Sequence, residues 1–197
     1  ADAEEIFHSK ILHFGSVSLT QGSARNATIF AARSAHQAGV LVSYDPNYRA
    51  ALWPSEGEAR EWMCIPLPLV DVLKISEEEL PLLTGSRDLE DGTRQLEERG
   101  IQLILVTLGS EGVFCRWQGE CWQQPGAAVK VADTNGAGDT FLGAVLSRLC
   151  QRKKKPLEDL SAGELKEILT FANRAAALTC SRSGAIPAMP TLEEMKL

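Results

Sequence analysis

The residues with the clearest chemical potential are Asp133-Thr134-Asn135-Gly136-Ala137-Gly138-Asp139-Thr140-Phe141. Small residues here lead into an amphipathic stretch, so the backbone N–H groups of Gly136, Ala137 and Gly138 can close on a phosphoryl oxygen at a helix N-terminus. Such donors complement charge that develops during group transfer. Asp139, in the first helical turn, can accept a proton from an attacking hydroxyl. The plainer alternative is a tight turn into a helix with Asp133 or Asp139 as a cap. An acid at both ends of the Gly-Ala-Gly string makes the chemical reading the more specific one. Arg49 is a second candidate, because a guanidinium near phosphate offers planar bidentate bonds; the alternative is a surface ion pair. His13 reads as a core histidine, and Trp53, Trp62, Trp117 and Trp122 read as packing rather than stacking platforms.

The elements that must position these groups alternate short β-rich runs with amphipathic stretches, the pattern of βαβ units on a largely parallel sheet. The apolar runs predict strands over 10–14, 40–44, 72–75 and 103–107, and the three- and four-residue spacing predicts helices over 22–37, 56–63, 77–83 and 89–99. Residues 113–117, a Gln118-Gly119 turn, 121–123 and 129–131 read as antiparallel ribbon strands, which makes the sheet mixed. Two long helices follow, over 136–152 and 162–181, separated by Lys153-Lys154-Lys155-Pro156, where proline stops a continuous helix and the lysines suit a solvated helix end. The start, Ala1-Asp2-Ala3-Glu4-Glu5-Ile6-Phe7, has no Met and reads as the end of a loop and a helical turn, as if cut from within a longer protein.

With 197 residues the chain suits one α/β domain over 1–197. Hydrophobic residues at 44% and charged residues at 23% are ordinary globular usage. The net charge of −6 lacks the basic footprint of a phosphate-backbone binder, so no nucleic-acid partner is expected. No apolar run approaches the roughly 18 residues that span a bilayer, so no membrane partner is expected either. Five scattered cysteines without a Cys-x-x-Cys pair read as free thiols in a reducing cytoplasm.

The string from Asp133 to Phe141 resembles the second signature of the ribokinase-like carbohydrate kinases, the pfkB family. Phe14-Gly15-Ser16, Asp45-Pro46-Asn47-Tyr48-Arg49, the run from Lys74 to Leu80, Val106-Thr107-Leu108-Gly109, Phe171-Ala172-Asn173 and Gly184-Ala185-Ile186-Pro187 resemble successive parts of that family in order. Asp45 to Arg49 with Leu52-Trp53 is most similar to the fructokinase branch. The resemblance implies a three-layer α/β/α fold, a mainly parallel sheet with an antiparallel hairpin, without the N-terminal strands and the lid that complete members carry.

It also implies roles. Asp139 matches the base and a substrate-binding residue, Gly136, Ala137 and Gly138 the anion hole, and Arg49 a substrate contact. Lys74, Ser76, Thr107, Gly109 and Asn173 match the nucleotide site. Glu79 matches the acid that organises Mg2+ through water, although Ser76 stands where the family has Asn. Asp133 matches a monovalent-cation site, which adds K+ to ATP and Mg2+ as expected cofactors. The implied reaction is ATP-dependent phosphorylation of a sugar hydroxyl, fructose to fructose 6-phosphate, with a full-length homodimer and an inactive or weak isolated piece. Two alternatives stay open: another kinase of this fold, for 2-keto-3-deoxygluconate or a different sugar, and a nucleotide-binding regulatory module that has lost catalysis.

Overall fold

The computed structural model of the chain describes residues 4–196; Ala1, Asp2 and Ala3, where the opening loop was expected, lie outside the described residues. Contacts divide the chain into two compact units, Ala1–Val106 with Cys115–Cys121, and Thr107–Phe114 with Trp122–Leu197.

The first unit opens with α1 (Glu4–Phe7), the expected helical turn, and then alternates strand and helix: β1 (Ile11–Gly15), α2 (Gly22–Gln37), β2 (Leu41–Asp45), α3 (Glu56–Cys64), β3 (Val72–Ser76), α4 (Leu80–Thr84), α5 (Leu89–Glu97) and β4 (Leu103–Thr107). The hairpin β5 (Val113–Trp117) and β6 (Glu120–Gln124) follows. Its two-residue turn has φ of 53° at Gln118 and 80° at Gly119, the doubly left-handed geometry that matches strand twist. The six strands form one sheet in sequence order. β1, β2 and β3 are parallel, with Gly15 opposite Asp45 and Tyr44 opposite Leu73. β2 is buried at every position, as is expected of a parallel strand covered on both faces.

Helix starts follow local chemistry. Ser55 accepts the Glu58 N–H at 3.1 Å before α3, and Asp88 accepts the Asp91 N–H at 2.7 Å before α5. α4 is shorter than the expected 77–83: Pro81 sits in its first turn and Gly85 ends it at φ 80°, while residues 77–79 form a turn after β3. α5 stops before Arg99 because the Arg99 and Gly100 N–H groups turn back to Leu96 and Glu97 in three-residue bonds.

The second unit contains α6 (Ala137–Gln151) and α7 (Ala162–Cys180), which pack against each other. Ser161 accepts the Glu164 N–H at 3.1 Å to start α7. The expected strand at 129–131 is absent: Val129 and Val131 are exposed, and the following N–H groups of Ala132 and Asp133 donate to the Cys180 carbonyl rather than to a strand. Alternation of Val-Lys-Val supplies the strand period but no ladder. Lys154 pairs with Asp159 on the exposed turn, as a solvated helix end would.

Candidate active site

In the second unit, Gly136 caps α6 with φ 79°, and a side chain there would bring Cβ to 3.2 Å from Ala185. The left-handed backbone favours glycine here, and the Ala185 contact would make a side chain a tight fit. Asp133 holds this turn, with Oδ1 accepting the Asn135 N–H and Oδ2 the Gly184 N–H, each at 3.0 Å. These donors, Asn135 first, hold the Asp133 carboxyl below its ordinary range. Ala137 departs from the expected arrangement: its N–H donates to Thr134 O at 3.3 Å. Gly138 and Asp139 occupy the first turn of α6, where a helix leaves N–H donors without an intrahelical acceptor. Asp139 is exposed there. The neighbouring Thr140 is buried, and its Oγ1 accepts a hydrogen bond from Thr179 Oγ1 of α7 at 3.0 Å. That pin carries no sequence signal, since threonine pairs on two helices are ordinary packing.

Thr107 ends β4, and Gly109 at φ 56° starts the short turn Gly109–Glu111. Gly112, at φ 100°, approaches the backbone of residues 124–126 so closely that a Cβ would lie 2.2 Å from Gln124 O. Asn173 of α7 is buried, and its Nδ2 donates to Gln124 O at 3.2 Å and Pro125 O at 2.8 Å. One backbone segment that the sequence did not mark, residues 124–126, thus meets both Asn173 and the turn that Gly109 starts, through Ser110, Glu111 and Gly112.

In the first unit, the carboxyl ends of β2 and β3 carry a buried polar cluster. Lys74 Nζ lies 2.9 Å from Asp45 Oδ2, with side-chain exposures of 9% and 6%. Lys74, expected at the nucleotide, therefore has its charge matched inside the fold. Glu79 is buried, its Oε1 accepting the Tyr48 N–H at 2.6 Å and its Oε2 the Ser76 N–H at 2.8 Å. Tyr44 stacks on Phe14 with ring centroids 4.5 Å apart, and burial, then the nearby acids Glu79 and Asp45 with Cys64, pushes its phenol well above the ordinary value. Gly15 permits the strand ends to meet, since a Cβ there would lie 3.1 Å from Asp45 O. Arg49 is exposed and donates from Nη1 to Tyr48 O at 3.2 Å. His13 is exposed rather than in the core, with Nδ1 3.2 Å from Ser43 Oγ. Trp53 and Trp117 are buried, Trp62 lies under Arg25 and Trp122 under Lys166, so all four pack within the fold.

Chemically, the second unit offers an exposed carboxylate beside helix N-terminal donors, and the first a rigid strand-end platform with an exposed guanidinium. Among the described residues no three His, Cys, Asp or Glu side chains converge on a metal position, and no helix is long and apolar enough to cross a membrane. All five cysteines are free thiols.

Comparison with known proteins gives a consistent picture. The pfkB family carbohydrate kinase description matches residues 1–192. A relative from Arabidopsis thaliana, named "Probable fructokinase-6, chloroplastic", is 42% identical over 200 residues, covering 98% of this chain and 50% of its own. The fructokinase of Xylella fastidiosa with bound ATP superposes with a TM-score of 0.90 at 32% identity, covering 98% of this chain and 62% of that one. A double mutant of the Vibrio cholerae O395 fructokinase, in a form with fructose, ADP and potassium, gives a TM-score of 0.88 at 31% identity, covering 95% and 59%. The chain spans between half and about two thirds of the length of these relatives.

Proposed function

The chain belongs to the pfkB family of carbohydrate kinases, and from that premise we propose that its protein phosphorylates fructose at the 6-hydroxyl with ATP. The observation that carries this reading is the exposed Asp139 carboxylate in the first turn of α6, beside N–H donors held by the Asp133 and Gly136 turn. In the proposed step, Asp139 takes the proton of the sugar hydroxyl as its oxygen bonds to the γ-phosphorus and the bond to the ADP oxygen breaks. The N–H groups of Gly138 and Asp139, with the left-handed cap at Gly136, meet the charge on the transferring group. Ala137 shapes the turn through its bond to Thr134. Thr107 and Gly109 line the nucleotide side, with Asn173 fixing the backbone against which that turn packs. Arg49 contacts the anionic part of the reacting pair.

For Mg2+, the residues fit indirect contact only. Each Glu79 oxygen already accepts one N–H and retains a lone pair, so Glu79 would hold a Mg2+ only through a bridging water. When bound, the ion supplies charge neutralisation at the transferring phosphoryl group. A potassium ion is proposed beside Asp133, whose two oxygens each accept one N–H and retain lone pairs. Five free thiols favour a reducing compartment, the cytoplasm first; the Arabidopsis relative is by its name chloroplastic.

A second reading, a kinase for an acidic sugar such as 2-keto-3-deoxygluconate, is favoured by the exposed Arg49, whose guanidinium suits a carboxylate as well as a phosphate. ATP-dependent phosphorylation of fructose, ribose, 2-keto-3-deoxygluconate and nucleosides by the full-length protein, with Mg2+ and with or without K+, separates the readings. Selective turnover of fructose supports the first, selective turnover of the acid sugar supports the second, and nucleotide binding without turnover overturns both in favour of a regulatory module or a substrate outside this panel.

A further inference from the structure

The turn after β2 is held from several directions. Pro46 O accepts the Ser16 N–H at 3.1 Å, Arg49 O accepts the Leu52 N–H at 2.9 Å, and the Tyr48 N–H donates to Glu79 Oε1 at 2.6 Å. Between these bonds, Asn47 takes φ 49°, the left-handed conformation that asparagine adopts more readily than most side-chain-bearing residues. The bond to Glu79 falls on the residue right after Asn47 and right before Arg49. Glu79 is itself fixed, since Oε2 accepts the Ser76 N–H and its own N–H donates to Ser76 O at 3.1 Å.

We propose that Glu79 is a positioning residue for Arg49: by gripping the Tyr48 N–H it holds the Asn47 turn in the one conformation that presents the exposed Arg49 guanidinium at the end of β2. This rests on the kinase reading for what Arg49 meets, a phosphoryl group or another anionic part of the reacting pair. It gives Glu79 a task separate from any water it shares with a metal. The acid bridges two strand ends 31 positions apart through main-chain donors, so its effect travels through the backbone to a neighbouring cation. Glutamine keeps one acceptor oxygen and replaces the other by a donor, so Glu79→Gln loses one of the two grips, and Glu79→Ala loses both.

Two measurements test this. Amide hydrogen exchange and trypsin cleavage after Arg49, on this chain, need no activity. Glu79→Ala is expected to raise Tyr48 exchange and Arg49 cleavage at least tenfold while residues 103–107 keep their protection, with Glu79→Gln between it and the unaltered chain. Unchanged Tyr48 exchange, or a rise shared equally by residues 103–107, overturns the latch; Glu79→Gln gives the same decision if the alanine variant does not fold. In the full-length protein, Glu79→Ala is expected to lower kcat/KM at least tenfold more when Arg49 is present than on the Arg49→Ala background. Equal losses in the two backgrounds overturn the positioning role in favour of a metal role alone. If the unaltered protein transfers no phosphoryl group, the kinase reading fails, while the exchange measurement still decides the latch.

Discussion

Asp133 and Gly184 are joined by a 3.0 Å hydrogen bond from the Gly184 N–H to Oδ2, across 51 positions, and this bond places the loop at Ala185 directly against the cap of α6. The same contact leaves a tight fit for a Cβ at Gly136. Gly136→Ala is expected to destabilise the chain by about 1–3 kcal/mol, the range for a forced left-handed residue. The midpoint of urea unfolding checks this, and a midpoint equal to that of the unaltered chain would show that the turn is not held as described.

Asp139 makes no such structural contribution, being exposed in the first turn of α6. Asp139→Asn is expected to lower kcat of the full-length protein by about 10²- to 10⁴-fold, the usual contribution of a positioned base, with a melting temperature close to that of the unaltered protein. Turnover that survives the substitution removes Asp139 from the role of base.

How far the sequence could be read depends on where each signal lies. β4 at 103–107 and α2 at 22–37 are legible because an apolar run or a helical period is a local property, and the start of α6 is legible because its small residues are adjacent. The Val129-Lys130-Val131 alternation misleads because a strand also needs a ladder partner, which the sequence cannot show. Glu79 gripping Tyr48, and Asn173 gripping Pro125 48 positions away, are invisible for a different reason: the partner is a main-chain group, and every residue type except proline has the same donor and acceptor.

That Asn173 grip gives a prediction about the nucleotide. Asn173→Ala leaves the carbonyls of Gln124 and Pro125 without their shared donor and is expected to cost about 1–3 kcal/mol in stability. By loosening the segment that backs the Gly109 turn it is also expected to raise KM for ATP more than it lowers kcat. Steady-state kinetics of the full-length variant reads both values, and a loss confined to kcat contradicts the link between Asn173 and the turn.

Acid should act on the second unit through Asp133 and Glu194, beside Asp159, whose carboxyl pKa Lys154 also lowers. The N–H groups of Asn135 and Gly184 hold Asp133 below its ordinary value, and the Arg182 guanidinium with the Thr191 N–H pulls Glu194 down to about 2. Both pKa values are depressed on folding, so both groups stabilise the folded state above the unfolded carboxyl values near about 4, and lose that contribution as pH falls through the folded values. The urea midpoint is therefore expected to fall from about pH 5 toward pH 2. The fall should be shallower in Asp133→Asn and in Arg182→Ala. Equal slopes in all three proteins would mean that neither carboxyl carries the acid sensitivity.

The ion pairs of the first unit should differ sharply in worth. Arg94 with Asp91 and Glu98 is an exposed helix-surface group, with side-chain exposures from 42% to 61%, and Arg94→Met is expected to change stability by no more than about 1 kcal/mol. Lys74→Met instead leaves the Asp45 carboxylate buried without its ammonium and is expected to cost about 3–5 kcal/mol. Asp45 ends β2 and begins the turn that carries Arg49, so the same variant is expected to disturb that turn. Replacing both partners, Lys74→Met with Asp45→Leu, removes the stranded charge and should recover much of the stability without recovering the turn. Urea unfolding of the three variants, paired with trypsin cleavage after Arg49, separates the two effects: a double variant as unstable as Lys74→Met would show that the cost lies in packing rather than in the unpaired charge.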